Sequence, residues 1–255
     1  MNRLPISVCM VSGAEALRIG RALESVAPWA AEIIVVMNSE VADGTHDIAA
    51  RHGARVFREP WKGFVGQKNS AAEKATQPWL LNLDADEMVS PRLAEELCYV
   101  VSNPNDSIAA YEFPRCSFYC GRWIRHGDWY PDRVRRLWMR GKGRWAGDEP
   151  HAHLEVNGKV CRLRSDLLHY SNESIAGQIA KIAPYHAEIV RQRVAAGAPA
   201  GVFQLLVRPG WRFLRAYFFR LGFLDGWQGF YIAALSSFST LTRHALVREA
   251  RSEKP

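Results

Sequence analysis

Three acidic side chains follow a short apolar run in the first third of the chain. Residues 79–83 form the run, and Asp84, Asp86 and Glu87 come directly after it. Ligands of open α/β sheets bind at the carboxyl ends of strands, and alternation along a strand puts Asp84 and Asp86 on one side. Paired carboxylates suit a hard cation. The segment predicts a metal site that holds a diphosphate; the simpler interpretation is a strand ending in a solvated acidic turn.

A second group of ionisable side chains is formed by Asp148, Glu149, His151 and His153. A carboxylate or an imidazole can take a proton from an attacking hydroxyl group and so serve as a general base. The segment is therefore a candidate for acid–base chemistry. The simpler interpretation of Glu149 is an exposed acid in the turn before Pro150.

Alternating strand and helix patterns surround the first acidic segment. Strand-like runs occupy residues 6–11, 33–37, 54–57 and 79–83, and helical spacing occupies residues 15–26, 45–52, 67–75 and 91–101. Strands that alternate with helices predict a parallel, doubly wound sheet. After residue 103 the pattern changes to the strand-like runs 111–118, 134–139 and 154–163. Asn157-Gly158 inside the last run predicts a hairpin, and the pattern is helical from residue 173 onward.

Composition narrows the class of protein. The chain has 255 residues, 48% of them hydrophobic and 23% charged, which is typical of a globular domain, and its net charge of +7 favours anionic partners. The five cysteines do not form the pattern of a disulfide framework, so we expect a reducing compartment. No signal-peptide core and no apolar run of transmembrane length is present, so we expect a cytoplasmic protein.

The last third of the chain is basic and aromatic. Between residues 203 and 247 it combines several arginines with many large aromatic side chains and a single acid, Asp225. This mixture suits a helix that lies in an anionic membrane surface. A nucleic-acid groove with stacking aromatics and a packing helix with solvated arginines are the alternatives. We expect membrane docking and no nucleic-acid partner, because no nucleic-acid-binding module is recognisable.

The motifs, taken in order, resemble those of the family 2 inverting glycosyltransferases. The chain is most similar to the branch that adds glucose or a related sugar to the lipopolysaccharide inner core. The resemblance covers nearly the whole chain and is carried by residues 6–8, 15, 32–36, 43–45, 67–69, 83–87, 133–138, 167–170 and 222–227. It implies the GT-A fold: an α/β, Rossmann-like and mostly parallel central sheet with helices on both faces, plus a helical C-terminal extension.

The residue pattern and the resemblance together imply a division of the chain. Residues 1–172 would form the GT-A catalytic domain, with a nucleotide-sugar half at 1–103 and an acceptor half at 104–172. Residues 173–255 would form the helical, basic and aromatic region that docks to the inner face of the plasma membrane.

Site residues carried over from the family pattern form a donor pocket. Asp84 and Asp86 match its Asp-x-Asp motif, which holds Mg²⁺ or Mn²⁺ against the diphosphate of the donor. The full set of expected donor-binding residues is Ser12, Glu15, Asn38, Asp43, Lys68, Asp84, Ala85, Asp86, Arg133 and Arg136. Strand alternation predicts that Arg133 and Arg135 share a face and that Arg136 lies opposite.

The catalytic base is expected in the segment that contains His151. Many relatives place an acid directly after the histidine that matches His151, whereas this chain has Ala152. An inverting transfer still needs a group that takes the acceptor proton. The candidates are Glu149 first, then Asp148 and His151.

The residues and the resemblance together imply a metal-dependent inverting glycosyltransferase. It would move a sugar from a nucleotide-sugar, expected to be a UDP-hexose, to a lipid-linked glycan such as the lipopolysaccharide core. Three alternatives stay open: transfer to a polyprenyl phosphate, nucleotidyl transfer onto a sugar phosphate, and a non-catalytic protein that binds nucleotide-sugars. The short Ser12-Gly13-Ala14 loop disfavours nucleotidyl transfer, and the intact acidic pair disfavours a non-catalytic protein.

Overall fold

The computed structural model describes residues 3–147, 152–172, 174–180, 182–197 and 201–252. These residues fall into two compact units, one made of residues 1–115 and 132–169 and the other of residues 116–131 and 170–255. We call them the first and the second unit. The domain boundary predicted after residue 172 stays a prediction.

The first unit is built on a mixed β-sheet with the strand order β3-β2-β1-β4-β8-β6-β12-β5. Strands β1 to β4 are parallel, β8 is antiparallel to both β4 and β6, and β5 is antiparallel to β12. The described strands are β1 (Leu4–Ser12), β2 (Ala30–Asn38), β3 (Arg55–Glu59), β4 (Trp79–Asn82), β5 (Glu87–Val89), β6 (Ile108–Tyr119), β7 (Arg122–Trp123), β8 (Asp132–Met139), β9 (Gly143–Ala146), β10 (His153–Val156), β11 (Lys159–Arg162) and β12 (Leu167–Asn172).

Helices cover the sheet and connect its parallel strands. Strand β2 shows why they are needed: Ile34, Val35 and Val36 follow one another and all are fully buried, so both faces of the strand are covered. The described α-helices are α1 (Ile19–Glu24), α2 (Thr45–Arg51), α3 (Gly63–Glu73), α4 (Pro91–Ser102), α5 (Ile175–Ala180), α6 (Ile182–Ala195), α7 (Val202–Leu214) and α8 (Gly226–Ser252). The α/β class and the parallel first sheet half predicted from the sequence are confirmed.

The hairpin predicted at Asn157-Gly158 is wrong. Strand β10 pairs with β9 in a separate two-stranded sheet, whereas β11 pairs in parallel with β6 of the main sheet. Val160 and Cys161 of β11 pack against the buried core on that edge. Joining the main sheet covers these side chains better than an isolated ribbon would, because a two-stranded ribbon has no core of its own.

The second unit is mainly helical and is organised around two buried acids. The carboxylate of Asp225 accepts hydrogen bonds from the backbone N–H groups of Arg125 (3.0 Å) and His126 (2.7 Å). Asp128, whose side chain is 3% exposed, pairs with arginines of the segment 212–220. Within the described ranges, no helix combines the length and the apolar character needed to cross a bilayer.

Candidate active site

A pocket of about 1000 Å³ opens in the first unit where β1 and β4 end and the first half of the antiparallel strand β8 runs beside them. It is lined from β1 by Val11, from α3 by Phe64 and Lys68, and from β8 by four consecutive residues. The described residues that line it are Val11, Gly13, Glu15, Trp61, Phe64, Lys68, Asp84, Ala85, Asp86, Glu112, Arg115, Arg133, Val134, Arg135, Arg136, Trp145, Ala152, His153, Leu154 and His169.

The acidic segment forms a tight turn rather than the end of a strand. Strand β4 stops at Asn82, and the backbone N–H of Glu87 donates to the carbonyl of Asp84 at 3.0 Å. The Glu87 carboxylate in turn accepts the N–H of Asp84 at 3.0 Å. Asp84 and Asp86 therefore both line the pocket, but the turn places them there and strand alternation does not.

Two cations hold the carboxylate of Asp84. The Lys68 ammonium lies 2.9 Å from Oδ1, and Nη2 of Arg136 lies 2.6 Å from Oδ2. Burial by itself would raise the pKa of Asp84, but Arg136 and Lys68 outweigh it and hold that pKa well below its usual range. Burial lowers the pKa of the Lys68 ammonium, and Asp84 opposes that effect. Asp84 is therefore an anion that fixes two cations at the pocket.

A β-bulge brings Arg136 into the pocket. In the pairing of β6 with β8, Tyr111 lies opposite Leu137 and the next residue, Glu112, lies opposite Arg135, so Arg136 is an extra residue. A bulge of this kind redirects a side chain. Arg133, Arg135 and Arg136 consequently all line the pocket. The prediction that Arg136 lies on the opposite face from the other two is wrong for this reason.

Glu87 is the buried centre of the ion-pair network. Its side chain is fully buried, and Oε1 lies 2.8 Å from Nη2 of Arg136 and 3.3 Å from Nη1 of Arg115. Arg115 also pairs with Asp132 at 2.6 Å. Guanidinium groups suit such sites because their donors form a rigid fork. The network fixes both the acidic turn and the arginine that faces the pocket.

His169 lies beside Asp86 in the pocket. Pairing of β5 with β12 sets His169 opposite Glu87, and Nε2 of His169 lies 3.3 Å from Oδ2 of Asp86. Burial raises the pKa of Asp86, but the hydrogen bond from His169, the charge interaction with His169 and a backbone hydrogen bond together outweigh it, so the pKa is lower than usual. The other ring nitrogen, Nδ1, is buried without a hydrogen-bond partner among the described residues. The sequence analysis did not select His169 as a site residue.

Asp86 and His169 have the donor chemistry to bind a divalent cation. Ligands of Mg²⁺ lie about 2.1 Å from the ion, so two adjacent ligands of an octahedral ion lie about 3 Å apart. The Asp86–His169 separation of 3.3 Å is close to that value. Among the described residues, no group of three or more His, Cys, Asp or Glu side chains is arranged around one metal position. The pair fits a Mg²⁺ or Mn²⁺ ion that takes its remaining ligands from phosphate and water.

Trp145 forms one wall of the pocket beside the cations. The Lys68 ammonium lies 4.5 Å from the centre of the indole ring and the Arg136 guanidinium 5.8 Å from it. Asn69 fixes the backbone of Trp145: its amide donates to the Trp145 carbonyl and accepts the Trp145 N–H, both at 2.9 Å. The indole ring is therefore fixed beside the two cations.

Other predicted donor residues lie beside the pocket. Asp43 accepts the backbone N–H of Thr45, the first residue of α2 (3.0 Å), and the N–H of Ala16 (3.1 Å), which fixes the loop that carries Glu15. Hydrogen bonding from Thr45 lowers the pKa of Asp43. Glu15 and Ala85 line the pocket, whereas Ser12, Asn38 and Asp43 are absent from its described lining.

The three candidates for the catalytic base lie outside the described residues. Asp148, Glu149 and His151 belong to the segment 148–151, so their role stays a prediction. Trp145 and Ala152, which come before and after this segment in the sequence, both line the pocket.

The parallel first half of the sheet, the acidic turn after β4 and the basic wall on β8 define an α/β transferase of the GT-A type. The chain belongs to glycosyl transferase family 2, whose profile matches residues 7–167. It is therefore an enzyme, a glycosyltransferase.

Several relatives match almost the full length of the chain. An uncharacterized glycosyltransferase of Rickettsia prowazekii is 32% identical over 96% of this chain and 87% of its own length. The lipopolysaccharide core biosynthesis glycosyltransferase LpsC of Rhizobium meliloti is 30% identical over 96% of this chain and 94% of its own length.

One solved structure confirms the fold. TarS of S. aureus (residues 1–349), in complex with UDP-GlcNAc, superposes with a TM-score of 0.52 and covers 99% of this chain and 92% of the TarS chain. The two sequences are 12% identical, so the match is one of fold.

Proposed function

We propose that this protein transfers a hexose from a UDP-sugar to a lipid-linked glycan of the lipopolysaccharide core, with help from Mg²⁺ or Mn²⁺. The observation that carries the proposal is the pair of acidic side chains, Asp84 and Asp86, each facing a different partner in one pocket. Asp84 fixes two cations and Asp86 lies beside an imidazole.

The charge of the pocket supports a diphosphate donor together with a cation. Five cationic and four anionic side chains line the described pocket, so the protein alone offers little net positive charge. A nucleoside diphosphate is a dianion or more, and a divalent ion would supply the charge that the side chains lack. Once bound, the ion acts as a Lewis acid toward the departing diphosphate. Asp86 and His169 would hold it, and Lys68 and Arg136 would contact the phosphate oxygens.

The acceptor is inferred from similarity. LpsC, which matches this chain over nearly its full length, is described as a lipopolysaccharide core biosynthesis enzyme. A core glycan is attached to a lipid, so the acceptor hydroxyl would reach the enzyme at a membrane surface. We propose the same acceptor class here.

The proton of the acceptor hydroxyl needs a base. Of the described carboxylates that line the pocket, Asp84 and Asp86 are engaged with cationic partners, Glu112 pairs with Arg162 at 2.8 Å and Glu15 with Arg18 at 3.6 Å. We therefore keep the base in the segment 148–151, with Glu149 as the first candidate. Glu149→Gln should lower kcat while leaving donor binding intact.

The direct test is thermal unfolding with UDP-, GDP-, CMP- and dTDP-sugars, each with Mn²⁺ and with a chelator. We expect UDP-hexoses to stabilise the protein only when the metal is present, since ligand binding to the native state raises stability. Stabilisation that survives chelation would contradict the metal assignment, and stabilisation by another nucleotide would contradict the choice of UDP.

Transfer itself is tested with purified core glycolipid and the donor that stabilises the protein. The expected product is the acceptor with one added hexose, detected by mass spectrometry. Asp47→Ala is the matched control for substitutions at Asp86, because Asp47 is an aspartate with a 79% exposed side chain on α2. Donor hydrolysis without transfer to the core glycolipid would overturn the acceptor class and leave the donor site standing.

A further inference from the structure

The apolar side of helix α7 faces solvent. Phe203, Leu206, Val207, Trp211 and Leu214 recur at helical spacing, and each is between 45% and 69% exposed. An amphipathic helix of a globular protein normally turns this side toward its core. Here it does the opposite, which indicates that something outside the described fold covers it.

Exposed apolar side chains are concentrated around this helix. Of the twenty large hydrophobic side chains that are exposed in the described part of the chain, thirteen lie between residues 202 and 230. We call the surface formed by Phe203, Leu206, Val207, Trp211, Leu214 and Phe219 the docking face. Apolar surface gathered in this way is typical of a site that binds a partner or a membrane.

Three arginines converge beside the docking face. Nε of Arg212 lies 2.6 Å from the carboxylate of Asp128, Nη1 of Arg215 lies 2.7 Å from it and Nη1 of Arg220 lies 3.4 Å from it. The Asp128 side chain is 3% exposed, whereas the three arginine side chains are 35% to 45% exposed. One buried acid therefore orders three guanidinium groups and neutralises only one of their charges.

A π-helical segment produces this convergence. Residues Arg215–Phe219 form a π-helix, and the N–H of Arg220 donates to the carbonyl of Arg215 at 2.8 Å, five residues back. A π-helix aligns residues i and i+5, whereas an α-helix aligns i with i+3 and i+4. The segment thus adds Arg220 to the side that already carries Arg212 and Arg215.

We propose that Arg212, Arg215 and Arg220 form a binding site for the phosphate groups of anionic lipids, and that the docking face enters the membrane beside it. Guanidinium groups bind phosphate through paired N–H donors, and a helix with apolar and cationic side chains lies in the interface of an anionic bilayer. The inference goes beyond the proposed reaction, because it concerns the second unit alone.

The positive charge beside the docking face favours a membrane over a second copy of the chain as the partner. A two-fold symmetric dimer would bring the same surface of both copies together, and with it two sets of arginines that each carry surplus positive charge. The segment 202–230 contains one acid, Asp225, which is 2% exposed and cannot compensate them. An anionic lipid surface offers the opposite charge along the whole face.

Sedimentation with vesicles tests the proposal. We expect the full-length protein to bind vesicles of phosphatidylcholine with one quarter phosphatidylglycerol, and to bind pure phosphatidylcholine vesicles far more weakly. Each basic residue near an anionic surface contributes on the order of 1 kcal/mol, so Arg215→Gln/Arg220→Gln should weaken binding about 30-fold. Arg212 then remains to pair with Asp128. Arg140→Gln/Arg144→Gln, which removes two exposed arginines of the first unit, is the matched control and should change little.

The apolar half of the proposal is tested with Trp211→Glu against Tyr99→Glu. Both side chains are exposed aromatics, at 54% and 69%, but Tyr99 lies on α4 of the first unit. We expect vesicle binding to be lost in the first variant and kept in the second, with thermal unfolding unchanged in both. Equal loss in the arginine variant and its control would overturn the phosphate site. Dimerisation that depends on Trp211, together with no binding to any vesicle, would overturn membrane docking. No donor or acceptor is present, so the result is independent of the proposed reaction.

Discussion

Arg136 in the pocket and Arg212 beside the docking face both pair with a buried carboxylate, yet their settings differ. The side chain of Arg136 is 6% exposed and contacts two acids, whereas that of Arg212 is 45% exposed and shares one acid with two other arginines. In the first case the charges balance within the protein. In the second a positive surplus reaches the surface. Pairing of the first kind fixes geometry, and pairing of the second kind keeps charge available for a partner.

The largest effect is expected from Asp86→Ala. Loss of this carboxylate leaves His169 as the remaining proposed protein ligand of the cation, so transfer should fall about 1,000-fold, the scale seen when one stabilising group of a transition state is removed. Mn²⁺-dependent thermal stabilisation by the donor should vanish, while Asp47→Ala should behave as the unaltered protein does. Unchanged metal-dependent binding in Asp86→Ala would remove Asp86 from the metal site.

Arg136→Met compares the energetic roles of the two arginines. Removing Arg136 leaves the buried carboxylates of Asp84 and Glu87 with fewer cationic partners. We expect this to lower the free energy of unfolding by about 3–5 kcal/mol. Arg212→Gln should cost less than about 1 kcal/mol, because Arg215 and Arg220 still compensate Asp128 and the site is open to water. Urea denaturation of both variants measures the difference. Equal losses of stability would contradict the distinction between balanced, buried charges at Arg136 and surplus, exposed charge at Arg212.

Trp145→Leu tests the wall of the pocket. The indole ring lies beside the Lys68 ammonium, and such a cation–π contact is worth about 1 kcal/mol. We expect donor binding to weaken about fivefold with kcat nearly unchanged, because Lys68 would lose its support and keep its charge. Titration calorimetry with the donor and Mn²⁺ measures this. A fall in kcat with unchanged donor affinity would instead place Trp145 against the acceptor.

The smallest effect is expected from Glu59, whose carboxylate is held by neighbouring side chains of the first unit. Hydrogen bonds from Lys62, Lys74 and Ser70 lower its pKa from 4.5 to about 2. A lowered pKa in the native state means that the stabilisation is present above pH 4.5 and is lost as the pH falls toward 2. Glu59→Gln should therefore destabilise the protein at pH 6 and make its stability less dependent on pH between 4.5 and 2. Unfolding curves at pH 6, 4 and 3 check this; parallel pH profiles would contradict it.

Local patterns in the sequence were sufficient for the parallel half of the fold. The buried run of β2 and the Ser90 cap of α4, whose hydroxyl oxygen accepts the N–H of Leu93 at 3.2 Å, are signals that neighbouring residues carry by themselves. The acidic side chains are adjacent in the chain, so their gathering in one site was predicted, but the turn that places them was not, because alternation along a strand was expected there. The sequence also overestimated one element: helical spacing predicted a helix at 15–26, whereas α1 spans only Ile19–Glu24.

What could not be predicted depends on pairing between distant segments. His169 reaches Asp86 because β12 lies against β5, and Arg115 reaches Glu87 from β6. Neither contact has a local signature, since the partners are more than twenty residues apart. The wrong hairpin at Asn157-Gly158 has the same origin: the turn signal is local, whereas the place of β11 beside β6 is decided by burial.

The bulge at Arg136 makes the length of strand β8 a functional constraint. The residues before and after it keep their register with β6 on either side of one extra residue, so deleting a position between Arg133 and Arg136 would leave both flanks paired as they are but remove the bulge. A change of length elsewhere in the strand would shift its register and turn side chains to the other face. A change of length in this strand therefore alters its backbone, whereas a substitution alters one side chain. Descendants of this protein are therefore expected to vary in the residues of β8 far more readily than in their number, and a chimaera that exchanges this strand must carry the bulge with it.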